Sequence, residues 1–154
     1  MKIKTCKHEA HNSNFSQRLK WALEKIQEKK LRITNPRKEI LAILAESRKP
    51  LSSDEVFKLL KKGKSDLVTV YRSLTTMEEL GILRKHDLGD SVRRYELAQE
   101  EHHHHHYIHC RSCGSVEAFE GCAFEQVIYK SLKNKGYQHI QHNLDVQAIC
   151  SACA

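Results

Sequence analysis

No apolar run in this 154-residue chain approaches the roughly 20 residues needed to cross a bilayer, so no membrane segment is expected. Met1 to Ala10 is polar and lacks an apolar h-region, so a secretory signal is not expected either. The disulfide framework of a small secreted protein goes with it, and a cytoplasmic location is the expectation. There is no internal repeat, and the one low-complexity run is His102 to His106. No nucleophile or substrate loop stands out, which argues against an enzyme. Against these absences stand two excesses, six Cys and eleven His, and a formal charge of +7. In a reducing compartment, clustered Cys and His point to metal. Basic charge points to a polyanion.

The charge is uneven. Residues 1–97 hold 22 basic and 13 acidic side chains; residues 98–154 hold 4 and 6. Five of the six Cys, among them the paired Cys110, Cys113, Cys150 and Cys153, and eight of the eleven His fall in the second part. The boundary lies near Ala98 to Glu101, a polar stretch without Gly or Pro. Two domains are expected, 1–98 and 99–154, with 1–12 a flexible arm. Cys6, His8 and His11 in that arm have no assigned role, and Cys122 is read as incidental.

In the first part, Phe15, Leu19, Ala22, Leu23 and Ile26 recur at helical spacing, which predicts a helix over 14–30. Asn35 is expected as the N-cap of a second helix, with Pro36 at its first position. Ser52 and Glu55 form a capping box for a third, running to about Lys62. Asp66 to Leu80 reads as a fourth, closed by Gly81. Two strands follow, Ile82 to His86 and Val92 to Leu97. Helix, short loop, helix and hairpin is the order of a winged helix-turn-helix. Its second helix presents side chains to base edges while nearby basic groups neutralise phosphates. That helix would show Thr69, Tyr71, Arg72, Ser73 and Thr76. Arg84, Lys85, Arg93 and Arg94 would decorate the wing. A protein-interaction module is the competing reading of the same pattern.

The second part carries metal chemistry. Cys110-x-x-Cys113 and Cys150-x-x-Cys153 stand 36 residues apart. Four thiolates complete a closed tetrahedral Zn²⁺ site, which supports folding and does no chemistry. The gap exceeds that of compact zinc ribbons, so a helix must fold back between the pairs. Phe124, Val127, Ile128 and Leu132 supply its stripe, and 115–119 and 139–149 read as flanking strands. If the His run is a strand, His103 and His105 share one face and His104 and His106 the other. One strand would then feed two metal sites, completed from His86, Glu96, Glu125 and His142.

From Leu31 to Cys153 the chain resembles the ferric uptake regulator family of dimeric, metal-dependent bacterial repressors. The carrying residues are Thr34-Asn35-Pro36-Arg37, Thr69 to Leu74, Leu80-Gly81-Ile82, Tyr95-Glu96-Leu97, the His run and both Cys pairs. The resemblance implies an α+β chain: an N-terminal winged helix, then a small α/β dimerisation domain with an antiparallel sheet. It implies structural zinc on Cys110, Cys113, Cys150 and Cys153. It places Tyr71 and Arg72 at the major groove of double-stranded DNA, Thr69 beside them and Arg32 toward an A/T-rich minor groove. The operator would be pseudo-palindromic and the partner a second copy of the chain.

Its second His-rich site maps onto His104, His106, Glu125 and His142. Its regulatory hinge site takes Glu96 followed by two His. Counting forward from Glu96 gives His103 and His105; counting back from Cys110 gives His105 and Tyr107, so an insertion lies in the run. Tyr is a poor ligand, which favours His103 and His105, with His86 from the wing. Two departures bear on the metal. The loop Arg48-Lys49-Pro50-Leu51 lacks the His that iron and peroxide sensors commonly use, and Ala118 stands where they carry a carboxylate. Three His and a carboxylate suit tetrahedral Zn²⁺, though they also bind Fe²⁺. The expectation is a zinc-sensing repressor, with an iron or peroxide sensor of the same family as alternative. A metalloenzyme and a metal buffer built on the His run are the rivals from other classes.

Overall fold

The computed structural model describes residues 15–60, 65–98, 106–119, 123–138 and 144–154, the side chains of 123–126 excepted. The chain divides into two compact units, one spanning Ser13–Glu101 and the other containing His102–Ala154. Cys6, His8, His11, His103, His104, His105, Cys122 and His142 lie outside the described residues.

The first unit begins with α1 (Phe15–Glu28), which buries Ala22 and Ile26. α2 (Asn35–Glu46) packs against it through Ile40, Leu41, Leu44 and Ala45. Arg18 ties the two together. Its Nη1 donates to the carbonyls of Ala45 and Ser47 at 2.7 and 2.9 Å, and Nη2 to that of Leu44 at 3.4 Å. These are carbonyls at the end of α2, where the helix has no partners of its own and its dipole favours a cation. The N-cap of α2 is Thr34 rather than Asn35, and it makes no side-chain capping bond. The reason is that Lys38 N–H already reaches the Thr34 carbonyl at 3.0 Å, which closes the first turn one residue earlier.

A two-residue strand, β1 (Leu51–Ser52), leads into α3 (Ser53–Leu59). The capping box is formed: Glu55 N–H donates to Ser52 Oγ at 3.2 Å, and Ser52 N–H donates to the Glu55 carboxylate at 2.8 Å. α3 ends before the expected Lys62. Leu60 leaves the helix with extended backbone (ψ 143°) and is buried in the core. α4 (Leu67–Glu79) is capped by Asp66, whose Oδ1 accepts from Thr69 N–H at 2.6 Å. Gly81 closes it at φ +71°, a conformation that Gly adopts without steric cost. Gly81 N–H returns to Glu78 and Ile82 N–H to Met77, each at 2.8 Å. β2 (Leu83–Asp87) and β3 (Arg93–Leu97) form the wing, in the antiparallel order β1-β3-β2. Val70, Leu74, Met77, Ile82, Tyr95 and Leu97 join the core of α1 to α3.

The second unit is β4 (His106–Cys110), β5 (Val116–Phe119), α5 (Ala123–Asn134) and β6 (Asp145–Ala148), with sheet order β5-β4-β6. β5 pairs antiparallel to β4, as expected, but β6 pairs parallel to it. The direction has a consequence. Cys110 ends β4 beside Ala148 at the end of β6, so the two Cys turns leave the sheet at one edge. An antiparallel β6 would carry Cys150 to the other end of the strand, about 13 Å away at roughly 3.3 Å per residue.

Candidate functional site

Cys110, Cys113, Cys150 and Cys153 bring their sulfurs within 4.8 Å of one another. The turns that present them are alike. Gly114 N–H bonds the Cys110 carbonyl at 2.9 Å, with Gly114 at φ +73°. Cys153 N–H bonds the Cys150 carbonyl at 2.9 Å. Cys113 Sγ and Cys150 Sγ are 3.8 Å apart. A tetrahedral ion with bonds of about 2.3 Å has ligand edges of about 3.8 Å, the length of the Cys113–Cys150 edge, so the donor set suits Zn²⁺. The electrostatics are prepared as well. Amide N–H groups of Cys113 and Cys150 aim at the Cys110 sulfur and hold its thiol down at about 6. The Ser115 hydroxyl and amide pull the Cys113 thiol below its ordinary range. Ser112 draws Cys153 the same way, but the thiols of Cys150 and Cys113 beside it push it up to about 11. Four thiols this close cannot all ionise without a cation among them.

In the first unit, His86 Nε2 and Glu96 Oε1 lie 2.9 Å apart on the paired strands β2 and β3, and both residues are buried. The register sets Arg94 opposite His86 and Arg84 opposite Glu96, so His86 and Glu96 meet on the diagonal. Their partners in the expected hinge set, His103 and His105, lie outside the described residues. In the second unit His106 is buried and stacks on Phe119, with ring centroids 5.4 Å apart. Glu125 lies on α5, and His104 and His142 are not described. His109 is a further buried imidazole, on the face of β4 opposite His106. Sequence alternation gives its side of the strand but not its burial.

The reading helix is built as the sequence implies except at Ser73, expected on the outer face but buried, because it lies beside Val70, Leu74 and Met77 on the core side. Val70, Ser73, Leu74 and Met77 of α4 face the core, while Val68, Tyr71 and Arg72 face solvent. Thr69 is half-buried in the first turn. Arg32 is exposed in the loop between α1 and α2, where Arg37 Nη1 donates to its carbonyl at 2.7 Å. Arg94 departs from expectation. It is buried and grips Asp90 with Nη1 and Nη2 at 2.8 and 2.7 Å, so it braces the wing turn instead of decorating it. Arg93 is exposed and donates to the Tyr71 hydroxyl at 3.3 Å. Sequence reading missed this link, because nothing local joins residues 22 positions apart.

The Asp66 cap gives this helix a pH dependence. The Thr69 amide holds the Asp66 carboxyl below its ordinary 3.8. A carboxyl depressed by folding stabilises the folded state above 3.8, and that contribution is lost as pH falls through its lower folded value. Asp66→Ala is therefore expected to destabilise the unit at neutral pH and converge on wild type in acid. Urea midpoints from pH 7 to pH 2 check it; a constant difference rejects the carboxylate as cause.

The sequence model of the Ferric uptake regulator family matches residues 28–147. A ferric uptake regulation protein of Legionella pneumophila is 35% identical over 126 residues, covering 80% of this chain and 91% of the relative. A peroxide operon regulator of Bacillus subtilis is 28% identical over 138 residues, covering 88% and 93%. The solved ferric uptake regulator of Helicobacter pylori, described as having three functional metal-binding sites, superposes with a TM-score of 0.74. That match is 25% identical and covers 91% of this chain and 93% of the other.

Proposed function

This chain belongs to the ferric uptake regulator family, and from that membership we propose a zinc-sensing repressor acting in the cytoplasm on A/T-rich pseudo-palindromic operators. Members of the family are metal-responsive transcriptional regulators that bind DNA as dimers, not enzymes. In this reading the four cysteines hold structural Zn²⁺. The regulatory ion is taken by His86, Glu96, His103 and His105. His104, His106, Glu125 and His142 form a second His-rich site. Metal at the hinge set favours the arrangement of the dimer that fits its operator, so scarcity of metal releases the genes. Arg32, Thr69, Tyr71 and Arg72 meet the duplex. A second copy covers apolar groups that the second unit leaves exposed, Val127, Tyr137 and Ile149.

The observation that carries the sensory reading is the His86–Glu96 pair. An imidazole and a carboxylate buried 2.9 Å apart on the wing are two metal-ligating groups within reach of one ion. Similarity to ferric uptake proteins supports the second reading, Fe²⁺. The two are separated by stripping the protein and restoring buffered Zn²⁺, Fe²⁺ or Mn²⁺ one at a time. Affinity is read by anisotropy on a palindromic duplex that metal-loaded protein selects from a random pool, against a scrambled duplex. Zinc is expected to restore tight binding at the lowest free concentration. Restoration by iron alone rejects the zinc assignment, and equal affinity with and without metal rejects the switch.

A further inference from the structure

We propose that Arg93 of the wing is a positioning residue for Tyr71, fixing the phenol as a hydrogen-bond donor toward DNA. This rests on the reading that Tyr71 faces the duplex. Arg93 Nη1 lies 3.3 Å from the Tyr71 oxygen, a link between β3 and α4 within the first unit. A guanidinium has only donors, so the phenol oxygen must accept in this contact. The phenol proton is thereby directed elsewhere. Phosphate oxygens only accept, and thymine O4, guanine O6 and N7 are acceptors on the major-groove edge. An acceptor of that kind is what the oriented O–H recognises. Donation from a cation also polarises the phenol and strengthens the bond it gives.

The arrangement answers a problem of the site. Tyr71 is 45% exposed on the outer face of α4. Ordering such a side chain on binding costs about 0.5–1.5 kcal/mol. A tether from the adjacent wing meets part of that cost before DNA arrives. Arg93 is the arginine suited to it: its neighbour Arg94 is turned inward on Asp90 and unable to reach outward.

A plain phosphate contact is the competing role for an exposed arginine, and the two differ in measurable ways. Full-length, zinc-loaded wild type, Tyr71→Ala, Tyr71→Phe, Arg93→Ala, Arg93→Lys and the Tyr71→Phe/Arg93→Ala double variant are titrated with the selected palindromic duplex. Each is measured from 50 to 200 mM salt. Arg93→Ala and Tyr71→Phe are each expected to weaken binding roughly three- to tenfold, about one hydrogen bond. The double variant should be no weaker than either single, and Arg93→Ala should leave the salt slope unchanged. Arg93→Lys, which still donates, should recover part of the loss. Additive losses, or a salt slope reduced by about one in Arg93→Ala, make Arg93 a phosphate contact and overturn the proposal. So does wild-type affinity in Arg93→Ala. If Tyr71→Ala binds as wild type, the placement of Tyr71 at the duplex fails first, a separate result.

Discussion

Removing metal from the four-cysteine cluster is expected to unfold the second unit and leave the first folded. The second unit contains His102–Ala154, and among its described residues the buried apolar side chains are Tyr107, Cys110 and Val116. A core that small stabilises little by burial alone. Structural Zn²⁺ contributes on the order of 10 kcal/mol near neutral pH, more than a domain's typical net stability. Cys113→Ser is the sharper test, because Cys113 is exposed and its loss leaves no cavity. Bound zinc should fall by about one ion per chain. The sheet signal of the second unit should be lost, and with it dimerisation. Thermal melting should resolve a surviving transition from the first unit, which has its own core of Ile40, Leu41, Leu44, Val70, Leu74 and Met77. If Cys113→Ser keeps its zinc, or loses it with a change under about 1 kcal/mol, the thiols are not a structural site.

What was legible in the sequence follows the range of the forces concerned. The Ser52–Glu55 capping box acts within one turn, so two residues three positions apart encode it. The Cys spacing encodes two turns and their joint valence, and the sulfurs do converge. Pairing over distance was less legible. β1 has two residues and exists because β3 offers an open edge to Leu51 and Ser52. The direction of β6 depends on where α5 returns the chain, which no local pattern states. Arg94 reads as a solvated wing residue from alternation alone. It is buried because Asp90, four residues before it across the wing turn, neutralises it, and because β3 is the central strand of its sheet. Reading Tyr71 and Arg72 as outward-facing needed only the helical period, because Val70, Leu74 and Met77 fix the inward face of α4.

Glu96→Gln is expected to abolish the metal response of operator binding while leaving the fold and the cluster zinc in place. Glutamine matches the shape of glutamate and can keep a hydrogen bond to His86, so the paired strands have no reason to part. It removes the negative charge that a divalent ion needs beside neutral imidazoles, and amide oxygens are rare ligands of Zn²⁺. Altering even the outer partners of metal ligands costs about 10–100-fold in affinity, and a ligand should cost at least as much. Elemental counting after dialysis should therefore find the cluster zinc retained and the regulatory ion reduced. Titrating metal into the variant should leave affinity for the selected duplex near the stripped wild-type level at concentrations that saturate wild type. Glu96→Ala is the harsher companion. It removes the carboxylate 2.9 Å from the buried His86 and is expected to add a stability loss of about 1–3 kcal/mol, which Glu96→Gln should lack. Two outcomes would sink the assignment. A wild-type metal response in Glu96→Gln would make the pair a structural hydrogen bond of the wing. Equal unfolding of both variants would mean the charge itself holds the strands together, and any change in DNA binding would follow from lost fold.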